Sequence, residues 1–155
     1  ITIIPGLQRP LSRGWLRLAS KDPLERPLIN PNYLGDESDA RKLALGVKIS
    51  REIFAARAFG DTLTQELLPG PEYKTDRDLL EFVRQRADSY HHQVGSCKMG
   101  IDRMAVVDPE LRVYGVEGLR VADASVMPAV VTGNPHTAIV MIGERCADFI
   151  QRSGA

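Results

Sequence analysis

Cysteine is scarce: only Cys97 and Cys146 occur in 155 residues. Two thiols so far apart do not make the disulfide framework of a small secreted domain, so a reducing, cytoplasmic setting is the expectation. Net charge is lacking too, with 20 Lys and Arg balanced by 20 Asp and Glu, and no basic run exceeds a pair. Nucleic acid and anionic membrane surfaces select clustered positive charge, so neither is an expected partner. No apolar stretch approaches the roughly 20 residues of a spanning helix, so no membrane segment is expected in this chain. The opening Ile1-Thr2-Ile3-Ile4-Pro5 has no basic n-region of a signal peptide and no initiator methionine, and the chain reads as cut from a longer protein. Internal repeats and low-complexity segments are also absent. What is present is an ordinary globular composition, 43% apolar and 26% charged, with length enough for one domain and its core.

The expected class is α+β, an antiparallel sheet with flanking helices. Residues Ile1 to Ile4 are β-branched and strand-like. Residues 14–20 alternate, Leu16 and Leu18 against Trp15 and Arg17, which predicts a half-buried strand pairing with the first across a short turn. Residues 22–35 are rich in Pro, Asn and Asp and exclude a regular helix; they run over the surface or along a sheet edge. A long helix opens at Ser38 or Asp39, with Leu45, Ile49, Ile53 and Ala56 as one apolar face, Leu43, Val47 and Phe54 as another, and Gly60 as its stop. A second helix begins near Thr75, where Asp78 three residues on completes a capping box, and presents Leu79, Val83 and Ala87. From Tyr90 to Asn134 helical periodicity gives way to Gly and Val, with a strand expected at Leu119–Ala122. A last helix is capped by Asn134, starts on Pro135, and buries Ile139, Ile142, Cys146 and Phe149.

Histidine is confined to the late part: His91, His92 and His136 are all there are. A neutral imidazole takes a proton near pH 7, so two such sites converging on one pocket would suit deprotonation of a hydroxyl. His91 and His92 are adjacent and, in an extended segment, face opposite ways, so at most one points into a given pocket. His136 opens the last helix, whose positive end favours anions over cations. His91, His92, Cys97 and His136 could each ligate zinc, but no CxxC or HxxxH spacing organises them, so no metal is expected. Gly95-Ser96-Cys97 lacks the nucleophile elbow GxSxG, and none of the glycines forms the GxGxxG cradle of a dinucleotide fold.

Three ordered stretches then carry a resemblance. His92-Gln93-Val94-Gly95-Ser96-Cys97-Lys98-Met99-Gly100 is similar to H-x-x-G-T-C-x-M-G of the glucose–methanol–choline (GMC) oxidoreductases. The run from Val107-Asp108-Pro109 through Leu119-Arg120-Val121-Ala122-Asp123-Ala124-Ser125 to Pro128 follows, and then Gly133-Asn134-Pro135-His136. Early residues Arg13 to Leu18 and Ile29 to Leu34 also resemble that family's substrate-domain strand and loop. The resemblance implies the C-terminal part of a larger FAD-dependent enzyme, residues 1–89 belonging to the substrate domain and 90–155 forming the catalytic and flavin-contacting segment. It implies oxidation of an alcohol, choline or another primary alcohol, by proton abstraction at histidine and hydride transfer to flavin. His92 takes the place of the catalytic histidine and His136 that of a second His or Asn on the substrate oxygen. Asp123 and Ala124 would meet the ribityl–diphosphate part of FAD, and Pro135, His136 and Thr137 would approach its ring. Partners implied are a small alcohol and the N-terminal FAD-binding portion of the parent chain. Ser96 stands where the family commonly has Thr, and His136 where many choline-specific members have Asn. Some proteins of this type are hydroxynitrile lyases, and a non-catalytic binding domain is a third possibility.

Overall fold

Asp36 ends an extended stretch with its carboxylate accepting the backbone N–H of Ser38 at 2.9 Å, which satisfies a donor that helix geometry leaves unpaired. Helix α1, Glu37–Phe54, follows, with Glu37 and Asp39 in its first turn where the helix dipole favours acids. The computed structural model describes residues 1–154, apart from the side chain of residue 61. Two compact units divide the chain, Ile1–Asp88 and Ser89–Ala155.

In the first unit the core is Ala40, Ala44 and Val47 of α1 against Leu79 and Val83 of helix α2, Asp76–Arg86, with Leu43, Tyr73, Leu80 and Phe82 packed around it. The expected capping box is present: Thr75 accepts from the Asp78 N–H, and the Asp78 carboxylate accepts from the Thr75 N–H at 2.7 Å. Of the two expected faces of α1, the second is the one covered in part, with Val47 buried and Leu43 packed against the core, while the first is left open. Leu45, Ile49 and Ile53 are 53%, 45% and 45% exposed, and the small Ala40 and Ala44 face α2 instead. Alanine lets two helices approach closely, and apolar bulk alone does not say which stripe finds a neighbour. The helix also stops at Phe54, with Ala55 N–H returning to the Arg51 carbonyl; Gly60 lies beyond, at φ 48° in a following 3-10 segment.

Ile1 to Ile4 form no strand. The residues that follow it lie on α1. Pro5 lies against Gly46, where an added Cβ would come within 2.7 Å of the proline Cβ. Leu11 N–H donates to both oxygens of the buried Asp39 carboxylate, at 3.0 and 2.9 Å, and Ser12 donates through its N–H at 2.7 Å and its hydroxyl at 2.6 Å. Strand β1, Trp15–Arg17, pairs with β2, Leu28–Asn30, in antiparallel register with Leu16 opposite Ile29. The partner therefore comes from the Pro- and Asn-rich segment. Alternation is as expected, with the Arg17 guanidinium 4.9 Å above the Trp15 ring on one face, but all six ribbon residues are exposed instead of half-buried. A ribbon of two strands has no second layer of its own to bury a face against.

The second unit is built on helix α3, His136–Arg152. Its stripe, Ile142 and Cys146 flanked by Ile139 and Phe149, packs with Val107, Leu111, Val126 and Met127. Pro135, not Asn134, takes the cap position: its backbone is already helical (φ −78°, ψ −4°) and its carbonyl accepts the Ile139 N–H at 2.9 Å. The Leu119–Ala122 strand is reduced to a single bridge, Arg112 with Arg120. Gly115 and Gly118, at φ 78° and 70°, turn the chain back between them, and Val113 N–H donates to the Leu119 carbonyl at 2.9 Å and Val121 N–H to the Leu111 carbonyl at 3.1 Å.

Candidate active site

The motif segment 92–100 is held from both sides by backbone. Cys97 and Met99 donate to the carbonyls of Ser125 and Val126, at 3.0 and 2.8 Å, and Gly100 donates to Val107 while Val106 donates to Lys98. Val94 and Met99 enter the core beside α3. Gly95 is needed for its left-handed turn, φ 89°, where an L side chain is strained and a Cβ would sit 3.4 Å from the Met127 carbonyl oxygen. This lattice ties His92 on one side, and the Ala124 turn on the other, to the start of α3.

These segments meet at an open cleft of about 290 Å³ lined by His91, His92, Gln93, Ala124, Asn134, Pro135, His136 and Ile139. Of the residues singled out from sequence, His92, His136, Ala124 and Pro135 share this cleft. Asp123 and Thr137 do not line it. Asp123 caps the short 3-10 turn Ala124–Val126, its carboxylate accepting the Ser125 N–H at 2.7 Å, and Thr137 is an exposed residue in the first turn of α3.

His91 departs from expectation. Both adjacent histidines line the same cleft, because the chain there is not extended: His91 has φ 60°, and this left-handed residue cancels the alternation that would have turned it away. Its N–H donates to the Ser89 hydroxyl at 2.8 Å, and the Tyr90 ring stacks on the His92 ring with centroids 6.4 Å apart and planes at 26°. Gln93, Asn134 and Ile139 also line the cleft, and from sequence they were given no part in the site. The one signal available was Ser89 two residues before His91, since a serine hydroxyl accepting the second N–H onward makes a local turn.

A larger depression of about 480 Å³ lies along Asp108, Arg112, Tyr114 and Arg120. Three of its charged groups are engaged within the chain. Arg112 Nε donates to Asp108 at 2.7 Å and Arg120 donates to the Ser153 hydroxyl at 3.1 Å. Burial would raise the Asp108 pKa, but the hydrogen bonds from Arg112 and from the Arg112 and Glu110 N–H groups outweigh it and hold the carboxyl below its usual range. None of the residues predicted to be functional lies there. Among the described residues no cluster of three or more His, Cys, Asp or Glu could hold a metal ion, and no helix is long and apolar enough to cross a membrane.

The chain is an α+β fold whose three histidines line one cleft at the start of its last helix, and comparison gives it a family. Residues 10–143 match GMC oxidoreductase: the chain belongs to the GMC oxidoreductase family. It is 47% identical over 148 residues to the mitochondrial choline dehydrogenase of Homo sapiens, covering 94% of this chain and 25% of that protein. It is 46% identical over 150 residues to the oxygen-dependent choline dehydrogenase of Escherichia coli O45:K1, covering 97% of this chain and 27% of that one. Among solved structures, an FAD-dependent oxidoreductase from Chaetomium thermophilum superposes with a TM-score of 0.88 at 34% identity over 95% of this chain and 26% of its own. The chain thus spans about a quarter of the length of the curated relatives it matches.

Proposed function

We propose that this chain is the C-terminal part of an FAD-dependent oxidoreductase that oxidises the CH–OH group of choline or another primary alcohol. The observation that carries the reading is the convergence of His92 and His136, from distant parts of the sequence, on one cleft. The relatives named choline dehydrogenase support the substrate class. The two free thiols, Cys97 and Cys146, suit the cytoplasmic setting expected from sequence.

The residues present fit one side of a flavin. The first-turn N–H groups of α3, His136, Thr137 and Ala138, have no side-chain cap, which leaves donors and a positive helix end for an electron-rich group. Ala124, on the turn that Asp123 caps, would face the ribityl–diphosphate side, and Pro135, His136 and the backbone N–H of Thr137 the ring side. The cleft is at or below the lower end of the roughly 300–1,000 Å³ that enclose a drug-sized ligand, so this chain supplies one wall and the N-terminal FAD-binding portion of the parent supplies the rest. When bound, FAD supplies the two-electron acceptor for the carbinol hydride.

The chain's own residues do the acid–base work. An alcohol in the cleft presents its oxygen to two imidazoles. A ring nitrogen of His92 takes the hydroxyl proton, and a ring nitrogen of His136 hydrogen-bonds the same oxygen and fixes its position. Tyr90, stacked on His92, limits rotation of the base. Apolar Ile139 and Pro135 keep part of the wall dry, which strengthens both contacts.

The test is steady-state oxidation of choline and aryl alcohols by the full-length enzyme and its His92→Ala variant. A fall of about 100-fold or more in kcat with flavin still bound is the expected outcome. Unchanged turnover would remove His92 from the role of base. Inactivity of the wild type on every alcohol, with cyanide released from mandelonitrile, would replace oxidation with the lyase reaction.

A further inference from the structure

One hydroxyl, that of Ser89, binds the residues on both sides of His92. Ser89 Oγ accepts the His91 N–H at 2.8 Å and the Gln93 side-chain amide at 2.7 Å. A serine oxygen offers two acceptor lone pairs, and here donors from the two residues flanking His92 occupy both. The first bond closes a turn over 89–91 and so sets how the chain enters His91, which itself stands at φ 60°, a region a non-glycine residue enters only when its surroundings impose it. The second bond pins the side chain on the far side of His92. His92 is thereby fixed at both chain neighbours, while its ring is stacked by Tyr90. Neither bond involves the imidazole itself.

We propose that Ser89 is a positioning residue for the catalytic base: its hydroxyl clamps His91 and Gln93 and so aims His92 into the cleft. The inference rests on the reading of His92 as the base. It is distinct from a role in holding the fold, since the segment from Val94 onward is anchored separately, through the core and through the backbone bonds of Cys97 and Met99. Losing the clamp should leave the domain folded and the flavin bound while the proton acceptor wanders, and misplacement by about an ångström costs on the order of 100-fold in rate.

The experiment measures kcat, KM, flavin content and melting temperature of the full-length, flavin-loaded enzyme and its S89A and S89T variants, with H92A as reference. For S89A, kcat should fall about 10- to 100-fold, with KM within about threefold and flavin content and melting temperature near wild type. S89T keeps the acceptor oxygen and should recover most of the rate. Wild-type kcat in S89A would overturn the proposal. So would a loss of flavin or melting temperature that accounts for the lost activity, or an S89T as slow as S89A. Should S89A fail to accumulate, S89T alone decides, since a clamp made by the hydroxyl predicts near-normal kcat. An unaffected H92A beside a slow S89A would instead point to failure of the His92 reading.

Discussion

Asp39 shows what one residue contributes to this fold. A buried carboxylate is costly unless its oxygens are satisfied, and here four donor contacts from Leu11 and Ser12 satisfy them. Burial pushes its pKa up, but the Ser12 hydroxyl, the two N–H groups and the Lys42 charge together hold it below 3.8. A folded pKa below the unfolded value means stability that is fully present above the unfolded pKa and lost as pH falls through the folded one. Asp39→Asn should therefore lower the unfolding free energy by about 1.5–3 kcal/mol above about pH 5, and the gap to wild type should close as pH falls below about 4. Urea unfolding at several pH values checks it, and a gap that stays constant into acid would remove the charge from the account. His91 is the counterpart in the cleft: the alternation of an extended chain would face it away from His92, whereas at φ 60° it lines the same cleft.

Elements were most legible where local chemistry acts without help. The capping box at Thr75 and Asp78 involves only residues three apart, so sequence spacing specifies it, and the structure contains both of its bonds. Thr75→Ala should cost about 1 kcal/mol, read as a lower denaturation midpoint with an unchanged denaturant slope. Similarly legible was the stripe Ile139, Ile142, Cys146 and Phe149 of α3, because a single stripe leaves no choice of face. Helix α1 offered two stripes; Val47 and Leu43 of the second lie on the buried side together with Ala40 and Ala44, which apolar bulk alone does not mark. Ile1 to Ile4 carried strand propensity without a strand, since β-branched residues only describe a chain that suits a sheet and do not supply a partner.

For the whole molecule, about a quarter of the relatives' length is present, and the cleft is a wall with an open side. We expect the isolated 155-residue chain to bind no stoichiometric flavin and to turn over no alcohol. A visible absorption spectrum of the purified chain after incubation with FAD and desalting checks this; a retained flavin band at one equivalent would show that the wall suffices. The exposed stripe of α1 and the exposed β1–β2 ribbon fit the same picture, because apolar residues at helical and strand spacing are left without a neighbour in this chain.

By itself the sequence determined the α+β class, the capped start of α2, the buried stripe of α3 and the ordered motifs around His92 and His136. Each of these depends on residues near one another in the chain or on a long ordered pattern. Tertiary structure decided the rest: which face of α1 is covered, which segment pairs with β1, and that His91 shares the cleft with His92. Those outcomes depend on partners distant in sequence and on a left-handed backbone angle at a non-glycine residue, and neither leaves a periodic mark that residue spacing can carry.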